Sequence, residues 1–305
     1  MLAYLAVRLG QGTFVLFGVA TLAFFLIRAT GDPTLLILGE HATPEAREEL
    51  RRRMGWQRPL YVQYVDYVSA AARGDLGRSL YDGRPAALVY AERIPASFQL
   101  ASVAMLVALA VSLPLAVGSL ISRQPALRAL AEIAVAVGQS MPSYWLGLLL
   151  IFAFSVSLGW LPSGGRERPD AIILPAVTLA VWTIARVTRL ARAKIAEVVP
   201  QDYVRTAWAK GLSPVRVYGR HVLPNASIAI VTLVTAEFVT LFSAAILTES
   251  VFAWPGVGRL LAESVYRRDY PTVQAGLLVI SGVVVVMNIL TDALYLCLDP
   301  RIRLQ

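Results

Sequence analysis

The sequence predicts an all-α integral membrane protein with six spanning helices and both termini in the cytoplasm. Three observations lead there. The 305 residues are 57% hydrophobic and only 16% charged, against roughly 45–50% and about 25% in soluble domains. The apolar residues fall in long continuous runs, not in the alternating pattern of a transmembrane barrel. The charges lie between the runs and are unevenly shared.

A spanning helix needs about 20 mostly apolar residues. The runs are about Leu9 to Ala29, Phe98 to Ile121, Ala131 to Leu158, Ile172 to Leu190, Ser227 to Thr248 and Val273 to Leu298. The first is longer than the apolar part of a signal peptide, and RATGDP after it is a poor cleavage site, so it reads as an uncleaved anchor. The third contains Pro142. Eight basic residues between Arg186 and Arg220 face only Glu197 and Asp202; Arg123, Arg128, Arg301 and Arg303 add to that side. The positive-inside rule places these loops in the cytoplasm. The segment 30–97 then lies outside, where acids nearly balance its bases. The chain divides accordingly into 1–29, 30–97 and 98–305, with a basic cytoplasmic loop at about 193–225.

The outer segment predicts two short helices. Thr43 and Pro44 suit an N-cap and first position, Glu45, Glu48 and Glu49 the first turns, and Gly55 a stop. The second, about Pro59 to Arg73, carries Leu60, Tyr61, Tyr64, Val65 and Val68 at helical spacing. The pair is either a cap packed on the bundle or a docking surface for an extracytoplasmic partner.

Composition excludes several chemistries. One cysteine, Cys297, permits neither an intrachain disulfide nor a cysteine metal cluster. The two histidines, His41 and His221, lie outside the spans, which removes an intramembrane serine–histidine site; no metal site is expected. A stand-alone secondary transporter would not need the loop described next, and no inverted repeat is visible.

That loop is DYVRTAWAKGLSPVRVYGRHVLPN, Asp202 to Asn225. Gly211 ends one short helix, Ser213 caps a second, Pro214 starts it, and Leu223-Pro224 ends it. A merely solvated loop needs neither caps nor residues as apolar as Tyr203, Val204, Trp208 and Val217. A DNA-reading helix-turn-helix is excluded by its tethering between two spans, so no nucleic acid is expected. What remains is a rigid knob for another protein's groove.

The knob resembles the cytoplasmic EAA loop of binding-protein-dependent ABC importer permeases, and its form resembles the dipeptide/oligopeptide branch. GDPT (31–34), GDLGRSL (74–80), ERIPAS (92–97), TESVFAWPGVGRLL (248–261), RDYPTVQ (268–274) and LDPRIR (298–303) agree in order along the whole chain. The resemblance implies the type I importer fold and a bacterial or archaeal cytoplasmic membrane. It implies half of a translocation path, completed by a second permease subunit. Two ATPase subunits would hold ATP and Mg, and an extracytoplasmic solute-binding protein would deliver substrate. The chain itself would bind no cofactor and be no enzyme; the pattern G-x-x-x-x-G-K-S/T occurs nowhere. Coupling to the ATPases would fall to Arg205, Thr206, Ala207, Trp208, Lys210, Gly211, Ser213 and Pro214. Arg205 stands where the wider family carries an acid, and Trp208 where a base is common. Within the branch, di- or oligopeptides are the expected substrate; nickel chelates, glutathione and oligosaccharides are alternatives.

Glu249, Phe252, Trp254, Pro255, Gly256 and Gly258 break the helix near the outer face and read as an outer gate or a loop under the binding protein, or as an ordinary turn. Ionisable groups inside spans are functional candidates. Glu237, where the branch often shows glutamine, would meet a cationic substrate group or pair with a neighbouring helix. Gln139, Ser140 and Ser143 flank Pro142 and either line the path or pack. Asn288 and Asp292 share one face of the last span and read as interhelical hydrogen bonders, Asn288 also as a path residue. Arg186 is expected to snorkel to the cytoplasmic surface.

Overall fold

The computed structural model describes residues 2–29, 34, 38, 43–53, 55–121 and 125–298. Secondary structure in this range is helical apart from one bridge, Arg78 to Pro85. His41, Arg301 and Arg303 lie outside it, as do most of GDPT and LDPRIR. Among the described residues five helices are long and apolar enough to cross a membrane, and a bent pair makes up to six.

The chain divides into two units. The first comprises Met1–Pro95 and Gly256–Ile289. Here α1 (Leu2–Ala29) carries the outer segment: α2 (Pro44–Arg53) and α3 (Leu60–Ala72). The Thr43 hydroxyl accepts the Ala46 N–H at 3.3 Å, the cap expected, and Gly55 turns the chain at φ +67°. α3 packs along α1 through its polar and aromatic face. Tyr64 shares a 2.8 Å hydrogen bond with Thr21, and Phe24 lies against the rings of Tyr64 and Tyr67. Burial pushes the Tyr67 phenol up to about 12. Arg28 donates to Gln63 and lies over the Trp56 ring at 4.1 Å. The outer segment is thus packed on α1.

In the same unit, α11 (Val257–Tyr266) leads to α12 (Tyr270–Leu298). Asp269 sits at the start of α12 and accepts from Ser79 Oγ at 2.6 Å, Leu80 N at 3.1 Å and Thr272 Oγ1 at 2.8 Å. One carboxylate thereby ties the first turn of α12 to the loop 74–85.

The second unit comprises Ala96–Pro255 and Leu290–Gln305. Its helices are most of α4 (Ala86–Ile121), then α5 (Pro125–Ser140), α6 (Ser143–Leu150), α7 (Ile173–Val198), α8 (Asp202–Ala209), α9 (Pro214–Val217) and α10 (Leu223–Val251). α4 has 36 residues, about 54 Å at 1.5 Å per residue. It therefore outruns a hydrocarbon core of about 30 Å, and begins a dozen residues before the expected Phe98.

The third expected span is not one rod. α5 and the stretch Ser143–Ser157 meet at 109° across Met141 and Pro142. Proline supplies no N–H to the preceding turn, and its carbonyl instead starts α6 by accepting from Trp145 and Leu146. α6 ends in a π-turn, Ile151–Ser157.

One core joins α4, α7 and α10 around Leu100, Ala104, Leu179, Leu241, Ala245 and Trp254. Phe98 stacks obliquely on Phe242 at 5.1 Å. Gly138 lets α5 approach α7 closely: a Cβ there would lie 2.6 Å from the Val181 carbonyl oxygen.

Candidate functional site

The basic loop forms a compact knob. α8 buries Val204 and Ala207 at i, i+3 spacing, and with Val217 and Val222 they pack into a core shared with Ala116 of α4, Ala191 and Ile195 of α7, and Ala226 and Ile230 of α10. Gly211 turns the chain at φ +74°, with its N–H bonded to the Trp208 carbonyl at 2.9 Å. A Cβ at Gly211 would meet nothing within 4 Å. The glycine is required by backbone conformation, not by space. Ser213 occupies the N-cap position and Pro214 the first turn, but the Ser213 hydroxyl makes no capping bond.

Two expectations about the knob need correction. The second helix does not end at Leu223-Pro224. α9 widens into a π-turn, Tyr218–Val222, and runs on into α10. Pro224 falls in the first turn of α10, directly after the π-turn, whose wider spacing accommodates a residue without an N–H. The knob is therefore welded to a spanning helix. Ala207 is only 4% exposed and is a core residue, not a contact. Conversely Tyr203 and Trp208, grouped with the buried-type residues, are 43% and 40% exposed. Trp208 meets Tyr218 edge-on at 6.4 Å.

The exposed face comprises Arg205, Thr206, Trp208, Lys210, Ser213, Pro214 and Val215. Arg205 reaches Asp202 at 3.7 Å, with both side chains almost fully in solvent. Thr206 bonds its hydroxyl back to the Asp202 carbonyl. The face offers cationic and aromatic groups on a rigid base.

The outer turn is built the opposite way. Glu249 is fully buried and accepts from Ser97 Oγ at 2.5 Å. Phe252 and Trp254 are each 1% exposed, and the Trp254 indole N–H donates to the Ala96 carbonyl at 2.9 Å. Ala253 takes φ +49° between them. Gly164 packs against the Phe252 backbone so closely that a Cβ would sit 2.0 Å from its carbonyl oxygen. These side chains fasten the turn to its own unit; their aromatic surface is not presented to an outside partner. Pro255 closes this unit, whereas Gly256, the N-cap of α11, and buried Gly258 belong to the first.

The candidates within the spans separate. Glu237 on α10 is paired with Arg186 on α7 at 2.9 Å, so the cation it meets in this structure is internal. Arg186 accordingly turns inward, over the Trp182 ring at 4.7 Å, and does not simply snorkel. Glu237 Oε2 is buried without a hydrogen-bond partner. Ser143 lines a cavity of about 320 Å³ at the helix break, with Thr178, Trp182, Thr183 and Thr240. Gln139 is exposed and accepts from Arg189 at 3.4 Å. Ser140 bonds back to the Ala136 carbonyl. Asn288 is exposed on α12, in the other unit.

Sequence reasoning missed Arg186 as the partner of Glu237, Thr183 as a cavity residue, and Asp269. Only Asp269 carried a local signal, an acidic residue just ahead of a helix start. The others depend on which helix faces which. Among the described residues no cluster of three or more His, Cys, Asp or Glu side chains could hold a metal ion.

Known proteins share this arrangement. The sequence profile of the binding-protein-dependent transport system inner membrane component matches residues 96–304, and the N-terminal profile of the same systems matches residues 1–101. The chain is 38% identical to the di/tripeptide transport system permease protein DppB of Pseudomonas aeruginosa (strain UCBPP-PA14), with 100% of both chains covered. It is also 38% identical to the glutathione transport system permease protein GsiC of Escherichia coli (strain K12), over 99% of each. Among solved structures, an inward-facing MetNI methionine ABC transporter aligns with a TM-score of 0.57 at 19% identity, over 70% of this chain and 97% of that one. An amino acid ABC transporter aligns with a TM-score of 0.56 at 18% identity, over 68% and 92%. These two likenesses bear on the fold, and both are to ABC transporters. With apolar spans, a compact basic knob and two profiles that together cover nearly the whole chain, the protein belongs to the multi-pass inner-membrane permease subunits of binding-protein-dependent ABC importers.

Proposed function

We propose that this permease imports di- or oligopeptides, glutathione-like tripeptides included, as one half of a path completed by a second, similar subunit. Two ATPase subunits bind ATP and Mg and work against the knob; a solute-binding protein delivers the peptide from outside. The observation that carries the coupling role is the asymmetry of Asp202–Val222. One face is sealed against the ends of α4, α7 and α10, and the other presents Arg205, Thr206, Trp208, Lys210, Ser213 and Pro214 to solvent. Because α9 continues into α10, a push on the knob is delivered to a spanning helix without an intervening hinge loop. The peptide substrate is supported by the names of the two relatives, each similar along its full length.

The cation on Arg205 calls for an acidic counterpart in the ATPase groove, and Trp208 for an apolar pocket beside it. On the outer side, Glu249, Phe252 and Trp254 keep the turn rigid beneath the docked binding protein. The test is transport by the assembled complex in proteoliposomes. In the assembled complex, Gly211→Pro, which can neither keep φ +74° nor donate to the Trp208 carbonyl, should abolish peptide-stimulated ATP hydrolysis and uptake together. Uptake at the unmodified rate would sink the coupling role. Uptake of a nickel chelate or an oligosaccharide in place of peptides would sink the substrate.

A further inference from the structure

The cavity at the helix break has an ion pair one helical turn beyond its lining. Trp182 and Thr183 line it from α7, and Thr240 lines it from α10. Arg186 follows Trp182 and Thr183 by one turn, and Glu237 precedes Thr240 by one turn. The ion pair therefore lies one turn beyond the cavity, toward the end of α7 that leads into the knob.

The two partners are unequal. The Glu237 side chain is 2% exposed, and that of Arg186 is 37% exposed. One guanidinium nitrogen holds Glu237 Oε1 at 2.9 Å, and Trp182 lies under the guanidinium at 4.7 Å. A buried carboxylate of this kind keeps its cation charged, since an uncompensated ion there is costly. Stacking on Trp182 fixes the plane of the fork. A planar fork has five N–H donors, so a single contact to Glu237 leaves capacity for a second acceptor. Nearby, the Thr183 hydroxyl is buried and makes no hydrogen bond. A cationic fork one turn from a cavity that a free hydroxyl lines matches a carboxylate, which takes two N–H bonds and a third from an alcohol.

We propose that Arg186, assisted by Thr183, is a binding site for the free carboxylate of the substrate in transit, and that Glu237 is its built-in competitor. The incoming carboxylate shares the guanidinium with Glu237. The repulsion between the two acids keeps the substrate from staying, and Glu237 takes the arginine back when the substrate leaves. The proposal rests on the peptide reading and sharpens it: the recognised group is the carboxylate, common to dipeptides and glutathione, rather than the amino terminus.

The test is equilibrium binding of radiolabelled alanyl-alanine and of its C-terminal amide to the complete permease–ATPase complex in lipid nanodiscs. The unmodified complex should hold the free acid about ten-fold more tightly than the amide, the worth of one charged hydrogen-bonded contact. Arg186→Gln should erase that difference, and Arg186→Lys should keep part of it. Glu237→Gln removes the competitor, so it should tighten the free acid several-fold and leave the amide unchanged. A purely structural ion pair gives the opposite sign: Glu237→Gln would weaken both ligands alike, and that result overturns the proposal. Equal binding of acid and amide by the unmodified complex overturns it as well. Binding of neither peptide by any variant overturns the peptide reading itself, a pattern distinct from either of these. Should Arg186→Gln fail to assemble, Arg186→Lys and Glu237→Gln still decide the matter.

Discussion

The cytoplasmic knob and the outer turn carry the same sequence signals. Each interrupts an apolar run with glycine, proline and a tryptophan, and each reads as a contact surface. The knob keeps that reading, with Trp208 40% exposed; the outer turn reverses it, with Trp254 1% exposed. The difference lies in what waits for the ring. Trp254 has a carbonyl for its N–H at Ala96 and a pocket among Leu100, Leu179 and Leu241. The described contact of the Trp208 ring is the edge of Tyr218. A tryptophan beside a helix break is thus a fastener where its polar edge finds a buried acceptor, and a contact where it does not.

The comparison breaks most easily on the outer side. Gly164 faces a backbone carbonyl at a distance no Cβ can occupy, and neither chain segment can give way as a side-chain tip would. Gly164→Val should abolish recovery of folded, monodisperse protein from the membrane. Next comes Trp254→Ala. Truncating a fully buried tryptophan costs about 3–5 kcal/mol, and the Ala96 carbonyl loses its donor. A large drop in Tm in detergent is expected, with Trp254→Phe intermediate. Trp208→Ala should leave Tm nearly unchanged and instead reduce peptide-stimulated ATP hydrolysis. If Trp208→Ala unfolded the protein as Trp254→Ala does, the contrast between the two regions would collapse.

How much of this was legible beforehand follows from where each constraint lives. Apolar runs, caps and glycine stops are local, and Thr43, Gly55, Gly211 and Pro214 landed where their chemistry requires. The outward or inward facing of a ring is not local. Trp208 and Trp254 look alike until α4 brings Ala96 to one of them. The proline rule misled at Pro224. A pre-proline residue disfavours helix in isolation, yet a π-turn upstream lets the chain continue and places the proline in a first turn. The break at Pro142 has a local signal in the proline itself, but its 109° angle goes with the packing of α5 and α6 on α7. The Arg186–Glu237 pair was hidden because its halves lie 51 positions apart on separate helices (237 − 186), with no spacing rule to join them.

The subtler tests act on the knob. Gly211→Ala puts a Cβ in open space, so only the left-handed backbone resists it. The cost should be about 1–2 kcal/mol, a few degrees of Tm, with transport reduced but not lost. Restoration by Gly211→Asn, which tolerates that conformation better, would identify the backbone as the cause. If Gly211→Ala instead abolished transport with Tm unchanged, contact and not conformation would be the role of the residue.

Arg205→Ala is the smallest change and the sharpest. Its ion pair with Asp202 is exposed on both sides and contributes little to stability. The fold should therefore not register the loss. If Arg205 meets an acidic groove, the substitution should lower coupled ATP hydrolysis most at low ionic strength, and added salt should bring the unmodified complex down toward the variant. Arg205→Glu, which restores the acid of the wider family pattern, should be worse than alanine here, because the groove that suits an arginine repels a carboxylate. Equal activity of the alanine and glutamate variants would mean that the residue at this position faces solvent even in the assembled importer. The burden of recognition would then pass to Trp208 and Lys210.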